Sequence, residues 1–223
     1  MNTGYTIGMA ADSGTKPGKV KNGRPLILFV DDNDVLRNII SEVLERAGYS
    51  VICADSGKSC LKTLTEIYPD LILLDIMMEP MDGYETLLAI RKSPACKDIP
   101  IVTLTGKIFL PSEMIEYGKE ISGWIKKPIR MEPFIEMVQQ IFAELEEDKR
   151  VALEMAENGS IQEQYNIAMH RRRHRVLNRI YEGILNQCIT PEKEICSAWG
   201  EDTKMMQQII SEEEEWCRAH GLL

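Results

Sequence analysis

The sequence predicts an open α/β fold, a five-stranded parallel sheet with helices on both faces, followed by a small all-α region. Three observations carry that expectation. Short apolar runs of strand length alternate with helically spaced apolar residues from position 25 to about 130. The run Leu71 to Leu74 is apolar throughout rather than alternating, the pattern of a strand covered on both faces. Beyond residue 130 only helical spacing remains.

The totals set bounds. A chain of 223 residues suggests one or two domains with a substantial core. Its net charge of -9 argues against a surface that coats nucleic acid or membrane. No apolar run is long enough to span a bilayer and the N-terminus has no signal-peptide stretch, so a cytoplasmic protein without membrane contact is expected. The cysteines are scattered, without a CxxC or a histidine at zinc spacing, and read as reduced thiols.

Residues 1–24 are rich in Gly, Ser, Thr and Lys and read as a flexible tail. The first strand, 25–30, ends at the pair Asp31 and Asp32. Asn33 can cap the helix that follows, whose apolar positions keep helical spacing until Gly48. A second strand spans 50–54. Ser56 opens a second helix carrying Leu61, Leu64 and Ile67, closed by Pro69. The central strand, Leu71 to Leu74, stops at Asp75 and runs into a loop punctuated by Pro80 and Gly83. A third helix spans about 84–92. The fourth strand, 99–105, ends in Thr105 and is followed by Gly106 and Lys107. A short helix at 111–117 leads to the fifth strand, 121–125, which runs into Lys126, Lys127 and Pro128. Repeated βαβ units imply right-handed crossovers and one common strand direction.

The predicted organisation is a flexible tail at 1–24, an α/β domain at 25–145, a helical connector at 146–159 and an all-α module at 160–223. One long helix runs on from Arg130, with Phe134, Val138, Ile141 and Leu145 in its seam. Asp148 interrupts that seam, so the second half reads as a solvated connector, with a dimerising helix as the alternative. In the module, 161–188 is helical, Thr190 and Pro191 start a further segment, and a last helix begins at Asp202 or Thr203. Its conspicuous feature is the cluster Arg171, Arg172, Arg173 and Arg175 beside His170 and His174. Residues 151–223 hold 8 Lys and Arg against 12 Asp and Glu, a net of -4. A basic face paired with acidic segments of the same module or of a partner is therefore expected, and nucleic-acid binding is the second reading. No helix-turn-helix is evident.

Parallel strands present the same end to solvent, so Asp31, Asp32, Asp75, Thr105 and Lys127 can gather at one edge. Taken singly, Asp75 is as readily a turn cap, the acidic pair a helix cap and Lys-Pro a turn. Their joint order on successive strand tips favours a site. Three close carboxylates repel one another, and a hard divalent cation with oxygen ligands, Mg²⁺, relieves that repulsion where no thiolate or imidazole is present. Asp75 is then placed as a nucleophile toward phosphorus, with Lys127 neutralising phosphoryl oxygens and Thr105 donating to one of them.

Residues 25 to about 145 resemble the receiver domain of two-component response regulators. The motifs are LFVDDN at 28–33, LILLDIMMEPMDGYE at 71–85, PIVTLTG at 100–106 and WIKKP at 124–128. The resemblance implies a flavodoxin-like fold and a phosphoryl group accepted on Asp75 from a histidine kinase. It further implies Mg²⁺ held by Asp31, Asp32 and Asp75 with the Met77 backbone carbonyl, and a switch through Thr105 and Trp124. The family usually has Tyr or Phe where Trp124 stands. Met77 and Lys107 occupy positions that set phosphoryl lifetime, and neither activates water, so slow self-dephosphorylation is expected. The expected output is a protein partner of the helical module, with no enzymatic activity beyond phosphorylation and dephosphorylation at Asp75. Homodimerisation and DNA binding through Arg171, Arg172, Arg173 and Arg175 stand as alternatives.

Overall fold

A computed structural model describes residues 23–107, 110–156, 160–188 and 200–223. Five strands, β1 (Leu26–Val30), β2 (Ser50–Ala54), β3 (Leu71–Asp75), β4 (Ile101–Thr105) and β5 (Gly123–Lys126), form one sheet in the order β2-β1-β3-β4-β5. The registered pairs are parallel, with Val30 opposite Leu74 and Asp75 opposite Leu104. Every residue of β1, β3 and β4 is buried, the polar Asp75, Thr103 and Thr105 among them, as expected of strands covered on both faces.

Three helices alternate with the first four strands: α1 (Asp34–Arg46), α2 (Gly57–Thr63) and α3 (Gly83–Lys92). Side chains fix each start. The Asn33 side chain accepts from the Leu36 N–H at 3.0 Å and the Ser56 hydroxyl from the Ser59 N–H at 3.2 Å. At α3, Asp82 and Glu85 each accept the other's backbone N–H, a reciprocal cap. The α2 helix ends at Thr63, earlier than its apolar spacing suggests. The chain instead closes in tighter turns, in which the Thr65 and Glu66 N–H groups donate three residues back.

Four longer or later helices follow: α4 (Pro111–Tyr117), α5 (Met131–Met155), α6 (Ile161–Cys188) and α7 (Gly200–Ala219). The chain divides into two compact units. The first holds the described residues up to Gly106 with Trp124–Met131; the second holds Lys107–Gly123 and Glu132–Leu223. In the second unit α6 packs on α7, and both pack on α4. Its buried residues include Met114, Leu177, Ile180 and Met206, and a cluster of Ala152, Ile167, Cys217 and Leu222 lies at the far end of α5.

Two expectations need correction. The fifth strand begins at Gly123 rather than 121, because Ile121 and Ser122 are buried ahead of the ladder rather than in it. The stretch of α5 beyond Leu145 is not a solvated connector either, since Asp148 and Ala152 are buried. The segment opened by Thr190 and Pro191 and the tail to residue 22 lie outside the described residues. Among the described residues, no helix is long and apolar enough to cross a membrane.

Candidate functional site

The carboxyl ends of β1, β3, β4 and β5 carry the residues that the sequence singled out. β1 delivers Asp31, fully buried, and exposed Asp32; β3 delivers Asp75, 2% exposed. One oxygen from each of these three carboxylates lies within 4.8 Å of the others. The Lys127 Nζ is 2.8 Å from Asp31 Oδ2 and 2.9 Å from Asp75 Oδ2, so one ammonium bridges two buried acids. Lys127 owes its place to β5: its backbone N–H donates to the Thr105 carbonyl at 2.8 Å, which ties the two strand ends together. Thr105 is 3% exposed at the tip of β4.

Backbone donors hold the acids. The Asn33 N–H donates to Asp31 Oδ1 at 2.9 Å and the Met77 N–H to Asp75 Oδ1 at 3.2 Å. Two supports were missed by the sequence reading. Arg37 donates to the Asp31 carbonyl oxygen at 2.7 Å, fixing the β1–α1 turn from one helical turn away. Gly83 lies against the Asp75 backbone, so close that a Cβ there would stand 2.2 Å from the Asp75 carbonyl oxygen. Its place after Pro80 and Asp82 marked a loop but not this approach.

Charge is unbalanced at this edge. Burial pushes the Asp75 carboxyl above its usual value; Lys127 opposes the shift, and Asp31 adds to it. Burial alone would depress Lys127, but its hydrogen bonds and charge contacts with Asp31 and Asp75 outweigh that and raise it. Three acids facing one ammonium leave net negative charge in a partly dry site. A divalent cation with oxygen ligands fits that deficit: Asp31 and Asp32 offer adjacent carboxylates, and all three groups are hard donors.

Met77 is half exposed beside this edge, where its sulfur lies 3.8 Å from the position of a Cβ on Gly106. Trp124, in β5, is partly buried. The arginines of α6 lie in the other unit, where Arg171 and Arg175 turn to an acid of α5. Arg175 grips Asp148 through both Nη atoms, at 3.1 and 2.7 Å, and Arg171 Nε donates to the same carboxylate at 3.3 Å. Arg173 Nε donates to the Lys119 carbonyl at 3.1 Å, and Arg172 Nη1 lies 3.5 Å from Ser122 Oγ. His170 Nδ1 is 2.6 Å from Glu213 Oε2, with its ring stacked on Trp216.

The profile of the response regulator receiver domain matches residues 27–139, just over half of the chain. The chain belongs to the response regulator receiver family. This receiver is similar to the chemotaxis protein CheY4 of Vibrio cholerae, with 30% identity and a TM-score of 0.50, covering 53% of this chain and 99% of that one. It is also similar to the probable transcriptional regulator ycf29 of Pyropia yezoensis, 26% identical over 164 residues that make up 74% of this chain and 73% of that protein. The DNA-binding dual master transcriptional regulator RpaA of Synechocystis sp. is 29% identical over 117 residues, 52% of this chain and 48% of that protein. The chain thus spans about three quarters of the first relative's length and about half of the second's.

Proposed function

We propose that the protein is a phosphorylation-controlled signalling switch that accepts a phosphoryl group on Asp75 from a histidine kinase. The observation that carries this reading is the Lys127 ammonium held between Asp31 and Asp75 at one strand edge. An Asp75 oxygen forms the new O–P bond as the donor's N–P bond breaks, and the leaving imidazole takes the electron pair. Asp31, Asp32 and the Met77 carbonyl would hold Mg²⁺ with Asp75, and the ion would supply neutralising charge to the phosphoryl oxygens. Lys127 balances one of those oxygens as a point charge. Thr105 donates its hydroxyl to another, and Trp124 repositions as Thr105 moves.

The output is contact with a protein partner through the helical region. Arg171 and Arg175 share Asp148, and Arg175 and Arg179 share Glu144, so three cations are committed to two carboxylates of the same chain. A second reading, transcriptional control, is favoured by the similarity to relatives named as transcriptional regulators. Binding to DNA would weaken steeply with salt and would require those arginines to leave their acids.

The deciding assay is intact-mass detection of phosphoryl uptake from acetyl phosphate with Mg²⁺. The native chain should gain one phosphoryl group, and chelation or Asp75→Asn should abolish the gain. Equal uptake by Asp75→Asn would refute the assignment. A salt series of DNA gel shifts on the phosphorylated full chain separates the two outputs.

A further inference from the structure

We propose that Arg172 and Arg173 of α6, where they face the link 118–122, form a binding site for a compact oxyanion, inorganic phosphate or a small phosphate monoester.

The arginines of α6 are sorted by the helical period. Arg171, Arg175 and Arg179 recur every four residues on one face, where Asp148 and Glu144 of α5 meet them. Arg172 and Arg173 fall off that face and turn to the link. Arg172 Nη1 lies 3.5 Å from Ser122 Oγ, and Arg173 Nε donates to the Lys119 carbonyl at 3.1 Å. Both partners are neutral. Among the described residues, neither guanidinium has a carboxylate within ion-pair distance.

A hydroxyl and a carbonyl offset only part of a guanidinium's charge, and the deficit is greatest at Arg172. Its Nε is buried without a hydrogen-bond partner, an arrangement that costs free energy until an acceptor arrives. Burial pushes Arg172 below the usual arginine value; Asp148 and Tyr165 oppose the shift, and the like charges of Arg175 and Arg173 reinforce it. Positive charge left over in a partly dry site calls for an anion.

The donors that an anion needs are open. Both residues are partly exposed, and Arg172 Nη2 and the two Nη atoms of Arg173 make no hydrogen bond to the described residues and are not sealed from solvent. The planar fork of a guanidinium matches the paired oxygens of a phosphate. The link beneath is held still. A Cβ on Gly118 would stand 2.8 Å from Leu177 Cδ2, so only a glycine admits α6 there. Lys119 Nζ lies 3.4 Å from Glu212 Oε2 and 4.0 Å from Glu213 Oε1, both on α7.

The same acids limit the size of the ligand. Glu212 and Glu213 flank Lys119, and residues 151–223 carry 8 Lys and Arg against 12 Asp and Glu, a net of -4. An extended polyanion laid across the two arginines would run onto acids. One dianion needs only the two guanidiniums.

The test is isothermal titration calorimetry of inorganic phosphate and, separately, adenosine monophosphate into the full chain, in low-chloride buffer with EDTA at neutral pH. The native chain should bind one anion with a dissociation constant of about 1 mM or below. Arg172→Leu and Arg173→Gln should each weaken it by about tenfold or more, the loss of one charge-assisted hydrogen bond. Lys204→Gln, which removes an exposed cation of α7 outside the site, should leave the affinity unchanged. Amide exchange in 119–122 and 170–176 of the native chain should slow when phosphate is added, a reading that stands even if Arg172→Leu fails to fold. Binding of either ligand supports the site and tells whether an ester is tolerated. No heat from either ligand up to about 10 mM overturns it, as does an affinity that Arg172→Leu and Arg173→Gln leave unchanged or that Lys204→Gln lowers equally. Duplex DNA bound at physiological salt and lost with the same two substitutions would overturn the compact anion in favour of nucleic acid.

Discussion

Replacing Asp148 by Asn tests whether a buried acid, rather than apolar area alone, joins α5 to α6. Asp148 is fully buried and receives Arg175 through two Nη atoms and Arg171 through Nε. Breaking a buried pair by removing one partner costs about 3–5 kcal/mol, because the other charge is left uncompensated. Two features lower the figure here. The Arg171 and Arg175 side chains keep 22% and 23% exposure, and Arg175 Nε retains an ion contact with Glu144 at 2.9 Å. A loss of about 2–3 kcal/mol is therefore expected, with water covering part of the deficit. At about 2–4 °C per kcal/mol for a chain of this size, Tm should fall by about 4–12 °C. Urea unfolding followed by far-UV circular dichroism, with amide exchange in 144–155 and 171–180, reads the change. A double-mutant cycle with Arg175→Leu should return a coupling of about 1–3 kcal/mol. An Asp148→Asn protein within about 0.5 kcal/mol of the native one would refute the buried-anchor reasoning, since that is the scatter of a surface change.

Other outcomes follow from named contacts. Burial alone would raise Glu144, but the Arg179 hydrogen bond and the Arg175 charge outweigh it and hold the carboxyl below the usual glutamate range. A lowered folded-state pKa contributes stability above the unfolded value and loses it as pH falls from about 4.5 downward. Glu144→Gln should therefore flatten the acid limb of the stability profile; an unchanged limb counts against the pair. Gly83→Ala forces a Cβ into the Asp75 backbone and should cost about 2–3 kcal/mol together with slower phosphoryl uptake, read by melting and by mass. With Met77 two residues after Asp75 and Lys107 two after Thr105, neither able to activate water, a phosphoryl group on Asp75 should persist for minutes or longer after the donor is removed; decay within seconds contradicts that expectation.

Much of the acidic edge was legible because Asp31 and Asp75 sit at the tips of continuous apolar runs. A strand that ends in a carboxylate needs no distant partner to be noticed. Asn33, Ser56 and Asp82 were similarly readable, since caps act within three residues. What failed to show was non-local. Asp148 looked like a break in the seam of α5 because periodicity scores every carboxylate as solvent-facing; its arginines come from 23 and 27 residues further along. The displaced start of β5 has the same origin. Ile121 and Ser122 are buried without joining the ladder, and an apolar run alone does not say which neighbour buries it. Gly83 and Gly118 were visible as glycines but not as points of close approach.

If Asp75 accepts a phosphoryl group as proposed, the electrostatics of the acidic edge require the groups around it to rearrange. Lys127 divides its ammonium between Asp31 and Asp75 at nearly equal distances. A phosphoryl group on Asp75 replaces a single negative charge with about two and adds three acceptor oxygens farther out than the carboxylate. The ammonium cannot serve those oxygens and keep both present contacts, because its three donors spring from one point. It would follow the phosphoryl group, and the Asp31 carboxylate it releases would need compensation, which a divalent cation held by Asp31 and Asp32 would supply. Lys127 and Thr105 are joined by a backbone hydrogen bond of 2.8 Å, so a displacement of either is felt by both β4 and β5. A Lys127→Met protein should thus still be labelled at Asp75, but more slowly, as read by intact mass. Labelling at the native rate would show that the ammonium does not serve the phosphoryl oxygens.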